Sequence, residues 1–176
     1  MATPETAPKP TRTSHLIVRD SNIHSKGCYT TEPIADGTFI VEYTGERITK
    51  PDADERYENR EDTYLFGLDD GTYVLDGDGV AAFINHSCDP NCESDEIDGH
   101  VWIYAIRDIQ AGEELTYDYC LYDGDDESPC SCGAKNCRGT LYSEEELERK
   151  AKERSQVAGG GSPEPAARAK DSALDK

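Results

Sequence analysis

From His15 onward, apolar residues come in short runs, cut every few positions by Gly, Asp or Pro. Leu16–Arg19, Thr38–Tyr43, Thr63–Leu68, Thr72–Leu75, Val101–Ile106 and Glu114–Tyr117 are mostly four to six residues long and rich in β-branched and aromatic side chains. Such side chains suit a pleated, half-buried surface, so these runs are predicted strands. Pro51–Arg60 is the one helix predicted inside this body, with Pro near its first turn and several charges after it. The body is therefore mostly β with small helical insertions. Ser143 opens a second helix, predicted over 143–157. Ser143 and Glu146 form a capping-box pattern, and Glu145/Arg149, Glu146/Lys150 and Glu148/Lys152 stand at i,i+4. That helix is polar nearly all round and reads as a solvated appendage. Residues 1–13 are rich in Pro, Thr and Ala with little to bury, and the stretch from Ala158 is linker-like, so both ends are expected to be disordered. No internal repeat is present.

A chain of 176 residues can bury one core and is too short for two ordinary domains. Charge changes the picture more than size does. Residues 14–143 hold nine of the 18 Lys and Arg but 28 of the 37 Asp and Glu, so the whole formal charge of −19 lies in the predicted domain. An acidic body repels phosphate backbones, which argues against direct nucleic-acid binding, and attracts basic polypeptides. Plain solubility is the competing explanation. The seven cysteines (28, 88, 92, 120, 130, 132 and 137) are odd in number, and three lie within eight positions. That argues against a secreted disulfide framework. No apolar run approaches the ~20 residues of a membrane span, and the N-terminus lacks a signal-peptide core, so a soluble, intracellular protein is expected; separately, a monomer is expected.

Candidate chemistry concentrates in three stretches. In Ala82–Cys92 (AFINHSCDPNC) an apolar run stops at Asn85 and His86, then Cys88, then a turn stiffened by Asp89-Pro90-Asn91. Asn85, His86 and Cys88 are thus presented on an irregular but held segment, as binding residues often are. The alternative is a surface loop with buried structural cysteines. Cys130-Ser131-Cys132-Gly133-Ala134-Lys135-Asn136-Cys137 places three thiolates in one tight loop, and a closed zinc site needs a fourth ligand from elsewhere. A redox-active cluster is the rival, but basic activators nearby are few. Glu114–Tyr119 alternates, which puts Tyr117 and Tyr119 on one face. Two buried phenols can also be simple core aromatics.

FINHSCDPNC, GEELTYDY at Gly112–Tyr119 and CSCGAKNCRGTLY at Cys130–Tyr142 together resemble the SET-domain protein-lysine methyltransferase family with its zinc-binding post-SET tail. The resemblance covers about residues 14 to 142. It implies a SET fold of short, curved, β-clip-like sheets with a threaded, knot-like C-terminal segment. It divides the chain into a SET domain at 14–123, a post-SET zinc segment at 124–142, the polar helix and two tails. It also implies S-adenosylmethionine as cofactor, held by backbone around Lys26, Gly27, Cys28 and Tyr29, by Asn85 and His86, and by Tyr64, with Leu141 capping the adenine. Tyr119 matches the family's catalytic tyrosine and Tyr117 the position that limits product methylation. Tyr43, Tyr64 and Phe66 would line the lysine channel, and Cys88 would join Cys130, Cys132 and Cys137 around a structural Zn²⁺. Two departures stand out. Ser25 replaces a frequent Gly, which matters only if the backbone angle there is strained. Ala82 replaces a usual Arg, which predicts a missing salt bridge.

The implied reaction is in-line displacement by a neutral lysine amine on the sulfonium methyl, with a basic protein such as a histone as substrate and mono- or di-methyl lysine as product. The rival is an inactive SET fold that binds basic peptides, and weaker still a plain zinc-stabilised interaction module. No chromatin-reading domain or cysteine-rich pre-SET segment is visible, so a minimal enzyme is expected. It would be cytoplasmic in a prokaryote and nuclear in a eukaryote.

Overall fold

The computed structural model describes residues 15–60, 62–68, 71–122 and 128–159; the predicted tail at 1–13 and most of that after Ala158 lie outside these. Ten strands and two α-helices follow in order: β1 (Leu16–Asp20), β2 (Lys26–Thr30), β3 (Phe39–Tyr43), β4 (Gly45–Thr49), α1 (Lys50–Tyr57), β5 (Leu65–Gly67), β6 (Tyr73–Gly77), β7 (Asn85–His86), β8 (Cys92–Ile97), β9 (His100–Ala105), β10 (Thr116–Tyr117) and α2 (Glu144–Gly159). A short 3-10 helix, Val80–Phe83, precedes β7.

All six predicted runs become strands, with ends moved by one or two residues in either direction, and the described residues form four small sheets ordered β1-β2, β10-β7, β3-β9-β8 and β4-β6-β5. Strands β2, β4, β7 and β8 come in addition. β4 (GERIT) and β8 (CESDEI) carry too many charges to read as strands alone; each is held as an antiparallel partner of an apolar neighbour, β6 and β9. Asp98 and Gly99, at φ 53° and 80°, make the two-residue turn that joins β8 to β9. Two successive positive φ angles define the hairpin turn whose twist matches the strands.

The core gathers Ile40, Val41, Ile84, Val101, Ile103, Ile109 and Leu115, with Cys28 and Cys92 fully buried among them. Cys28 thus acts as a small buried hydrophobe. Helix α1 ends at Tyr57, short of the predicted Arg60, and starts with Thr49 Oγ1 accepting from the Asp52 amide at 3.3 Å. Its buried face is only Ala53 and Tyr57.

Helix α2 is less detached than its polar sequence suggests. Ser143 Oγ accepts from the Glu146 amide at 3.1 Å, as the capping box predicts. Glu146 is buried, and Lys150 lies over the buried Tyr142 ring at 3.5 Å. The pairs Glu146/Lys150 and Glu148/Lys152 form at 3.9 and 3.4 Å. Arg149 instead turns to Glu146 and Glu153.

The smallest sheet does most to build the site. β10 runs parallel to β7, pairing Thr116 with Asn85 and Tyr117 with His86. Asn91 fixes this crossing from the side: its amide donates to Glu114 O at 2.8 Å and its Oδ1 accepts from the Thr116 amide at 2.9 Å. Two segments far apart in sequence thereby present their polar ends together.

Candidate active site

Two hollows meet beneath this crossing. The larger is a groove of about 640 Å³, lined by Tyr43, Tyr64, Phe66, Tyr117 and Tyr119, with α1 and Leu121, Tyr122 and Leu141 on its rim. The smaller, about 50 Å³, is bounded by His24, Ser25 and Lys26 of the β1–β2 turn and by Asn85, Phe83 and Asp62. Tyr64, Ala82 and Tyr119 line both. Ala82, which stands in place of the family's usual arginine, therefore sits at the junction.

The aromatic cluster is continuous. Ring centroids are 4.9 Å apart for Tyr117 and Tyr119, 6.2 Å for Phe66 and Tyr117, and 5.2 Å for Tyr43 and Phe66. Tyr119 donates to Ile84 O at 3.0 Å and Tyr43 to Tyr64 O at 2.7 Å. No partner for the Tyr117 hydroxyl is found among the described residues. Burial pushes all three phenols up, Tyr119 to about 12. They are neutral at physiological pH and can orient a group by hydrogen bonding without acting as bases. Asp54 is the only carboxylate among the described residues lining the groove.

Asn85 is placed by acceptors alone. Its amide nitrogen donates to Lys26 O and to Glu114 Oε1, both at 2.8 Å. A carbonyl and a carboxylate can only accept, so the amide orientation is forced and its oxygen is the atom left over. The residue type alone offers donor and acceptor together; the structure leaves the acceptor. Ser25 has φ 34°, in the left-handed region that glycine occupies without strain, so the serine at this position falls on a demanding backbone angle.

His86 is held elsewhere. It is 3 % exposed, absent from both linings, and its Nδ1 accepts from the Tyr119 amide at 3.2 Å. Burial lowers its pKa, so the ring is neutral and its proton sits on Nε2, which faces Cys88 Sγ at 3.3 Å. Its side chain thus links Tyr119 to the cysteine cluster.

That cluster closes the tail over the site. Ligand atoms of His86, Cys88, Cys130 and Cys132 all lie within 4.8 Å of one another, and Cys88 Sγ is 3.9 Å from Cys130 Sγ. Two zinc–sulfur bonds of about 2.3 Å at a tetrahedral angle set sulfurs roughly 3.8 Å apart, so the spacing fits a metal. Each of four sulfurs accepts at least one backbone N–H, at 3.4–3.5 Å: Cys88 from Arg138, Cys130 from Cys132, Cys132 from Cys88 and Cys137 from Gly139. Amides aimed at sulfur favour the thiolate a metal requires. Burial opposes this at Cys132, but the amides of Cys88 and Ala134 and the neighbouring thiols bring it down to about 6.

Arg138 adds a second tie. Its guanidinium holds both oxygens of Asp118, between the two tyrosines, at 2.6 and 2.8 Å. Asn136 donates to Cys88 O at 3.1 Å. Sequence reasoning passed over Glu114, Asp118 and Arg138. Two of them lie inside the GEELTYDY stretch and the third directly follows Cys137, so position beside a motif was the available signal.

The same segment matches known proteins in sequence. The family profile described as SET domain covers residues 25–120, more than half of the chain. The chain belongs to the SET-domain family. It is 43 % identical over 144 residues to the histone-lysine N-methyltransferase trithorax of Drosophila virilis, covering 76 % of this chain and 4 % of that protein. It is 45 % identical over 146 residues to the H3 lysine-4-specific histone-lysine N-methyltransferase of Saccharomyces cerevisiae, covering 74 % of this chain and 13 % of that protein. The SET-domain chain thus spans a small fraction of these relatives' length. Among its described residues no helix is long and apolar enough to cross a membrane.

Proposed function

We propose that this SET domain transfers a methyl group from S-adenosylmethionine to a lysine ε-amine of a histone tail, with H3 as the first candidate because relatives carry that name. The observation that carries the reading is the junction of the two hollows at Tyr119. One hollow offers acceptors suited to a cationic group, the other an aromatic groove suited to an alkyl-ammonium side chain. When bound, the cofactor supplies an electrophilic methyl on a sulfonium.

The residues present suit that cofactor. Asn85 Oδ1 and the 24–26 turn would hold its ammonium end. Tyr64, Tyr119 and Leu141 would flank the rest, and Lys26–Tyr29 would contribute backbone. The small hollow admits a single polar group, which assigns it to the amino-acid end and not to the nucleoside.

Tyr43, Phe66, Tyr117 and Tyr119 would align the lysine and exclude water. Alignment at near-attack distance can supply up to roughly 7–11 kcal/mol of the barrier. With neutral phenols and, among the described residues, no carboxylate but Asp54 in the groove, the lysine loses its proton to solvent. The apolar walls lower the substrate amine from its ordinary pKa of about 10.4. The unpartnered Tyr117 hydroxyl occupies the space a further methyl would need, which favours mono- and di-methylation. The acidic body attracts the basic tail and contributes to capture, not to chemistry. In a eukaryote, a chromatin substrate would put the protein in the nucleus.

Cys88, Cys130, Cys132 and Cys137 would hold a structural Zn²⁺. His86 is the competing fourth ligand by distance, but a ring whose Nδ1 accepts the Tyr119 amide carries its proton on Nε2 and cannot ligate there. The SET region at 14–123 and the post-SET segment at 124–142 are the units this reading implies. Equilibrium binding of S-adenosylmethionine tests it: micromolar binding is expected, and no binding would leave the inactive, peptide-binding alternative.

A further inference from the structure

Glu114 lines neither hollow, yet it is the hub behind the smaller one. Its Oε1 accepts from Ser21 Oγ at 2.7 Å and from Asn85 Nδ2 at 2.8 Å. Its Oε2 accepts from Tyr29 OH at 2.7 Å and from Ser21 Oγ at 3.0 Å. Ser21 Oγ in turn accepts from the Ile23 amide at 3.0 Å, shaping the 21–26 turn. The carboxylate reaches this point only because residue 27 is glycine: a Cβ there would stand 2.2 Å from Glu114 Oε1. Gly27 does not need its own backbone freedom; it clears space for Glu114.

We infer that Glu114 is a positioning residue that locks the Asn85 amide with its oxygen toward the ligand, so that the hollow selects a cationic amine. The inference rests on the methyl-transfer reading of the previous subsection. A carboxylate has lone pairs for all three donors, whereas a glutamine amide offers one oxygen and adds its own N–H groups. Glu114→Gln therefore keeps shape and volume but removes one of the two close acceptors that fix Asn85, leaving Lys26 O at 2.8 Å as the main brake on an amide that turns over and presents its NH₂ to the ligand. Two donors would then face the ammonium.

A structural buttress and a positioning residue differ in what they discriminate. S-Adenosylhomocysteine carries the amino-acid end; 5′-methylthioadenosine lacks it. Calorimetry on the zinc-loaded protein should show Glu114→Gln weakening S-adenosylhomocysteine by on the order of tenfold, the scale of a hydrogen bond to a charged group. Methylthioadenosine binding should stay within about twofold of the parent, because that ligand makes no such bond. Glu114→Asp, which keeps the charge but draws the carboxylate back from Asn85 by one methylene, should give the same selective loss and serves if the glutamine variant does not fold. Equal weakening of both ligands, or no change in either, overturns the role assigned to Glu114. If the parent protein binds neither ligand, the methyl-transfer reading itself fails, and a parent that binds both separates the two failures.

Discussion

Replacing Arg138 by Met should loosen the tail from the tyrosine strand, and the size of the effect follows from the geometry. The guanidinium forms a bidentate pair with Asp118, and the side chains are 17 % and 24 % exposed. Exposed pairs contribute about 0–1 kcal/mol, and losing one partner of a buried pair costs roughly 3–5 kcal/mol. At this intermediate burial, and with the Cys120 amide still donating to Asp118 at 3.1 Å, a loss of about 2–3 kcal/mol is expected. For a domain of this size that lowers Tm by roughly 6–12 °C. Methionine keeps most of the packed stem, so the loss reports the charge and not a cavity. Scanning calorimetry of the zinc-loaded parent, Arg138→Met, Asp118→Asn and the double variant completes a thermodynamic cycle. A coupling above about 1 kcal/mol is the expected result. A coupling under about 0.5 kcal/mol would show that the pair behaves as an exposed one and that zinc alone holds the tail.

Tyr117→Phe should shift products toward higher methylation by removing a hydroxyl that has no partner among the described residues; unchanged product ratios in a mass spectrum would discard that role. Cys137→Ser should abolish stoichiometric zinc, measured by atomic emission, whereas His86→Gln should retain it; the reverse pattern would make His86 the ligand. Burial raises the Tyr119 pKa to about 12, so the phenol keeps its proton as pH rises. The rate should then climb with lysine deprotonation, with no descending limb below about pH 10. A fall near the ordinary phenol pKa would contradict the burial argument.

Much of this was legible in the sequence, and for traceable reasons. Six apolar runs became strands because β-branched and aromatic clusters between turn residues leave few alternatives. β8 was missed because CESDEI is acidic, although Asp98-Gly99 ahead of the apolar run at Val101 was a hairpin signal that could have found it. The β7–β10 pair could not be read: two residues on each side carry no periodicity, and only tertiary closure joins them. Tyr117 and Tyr119 came from alternation, and the structure stacks them. The orientation of Asn85 and the placement of His86 away from the hollows depend on Glu114 and on the Tyr119 amide, partners distant in sequence. Arg138 carries no pattern of its own in the sequence, and its role comes from Asp118, twenty residues away, which it meets in the fold.

The most direct test is methyl transfer itself. The zinc-loaded protein, S-adenosylmethionine and an H3 tail peptide are incubated and the peptide lysines read by mass spectrometry, for the parent and for Tyr119→Phe. The account predicts methyl-lysine from the parent and a near-complete loss in a variant that still binds the cofactor. A Tyr119→Phe variant as active as the parent would contradict it.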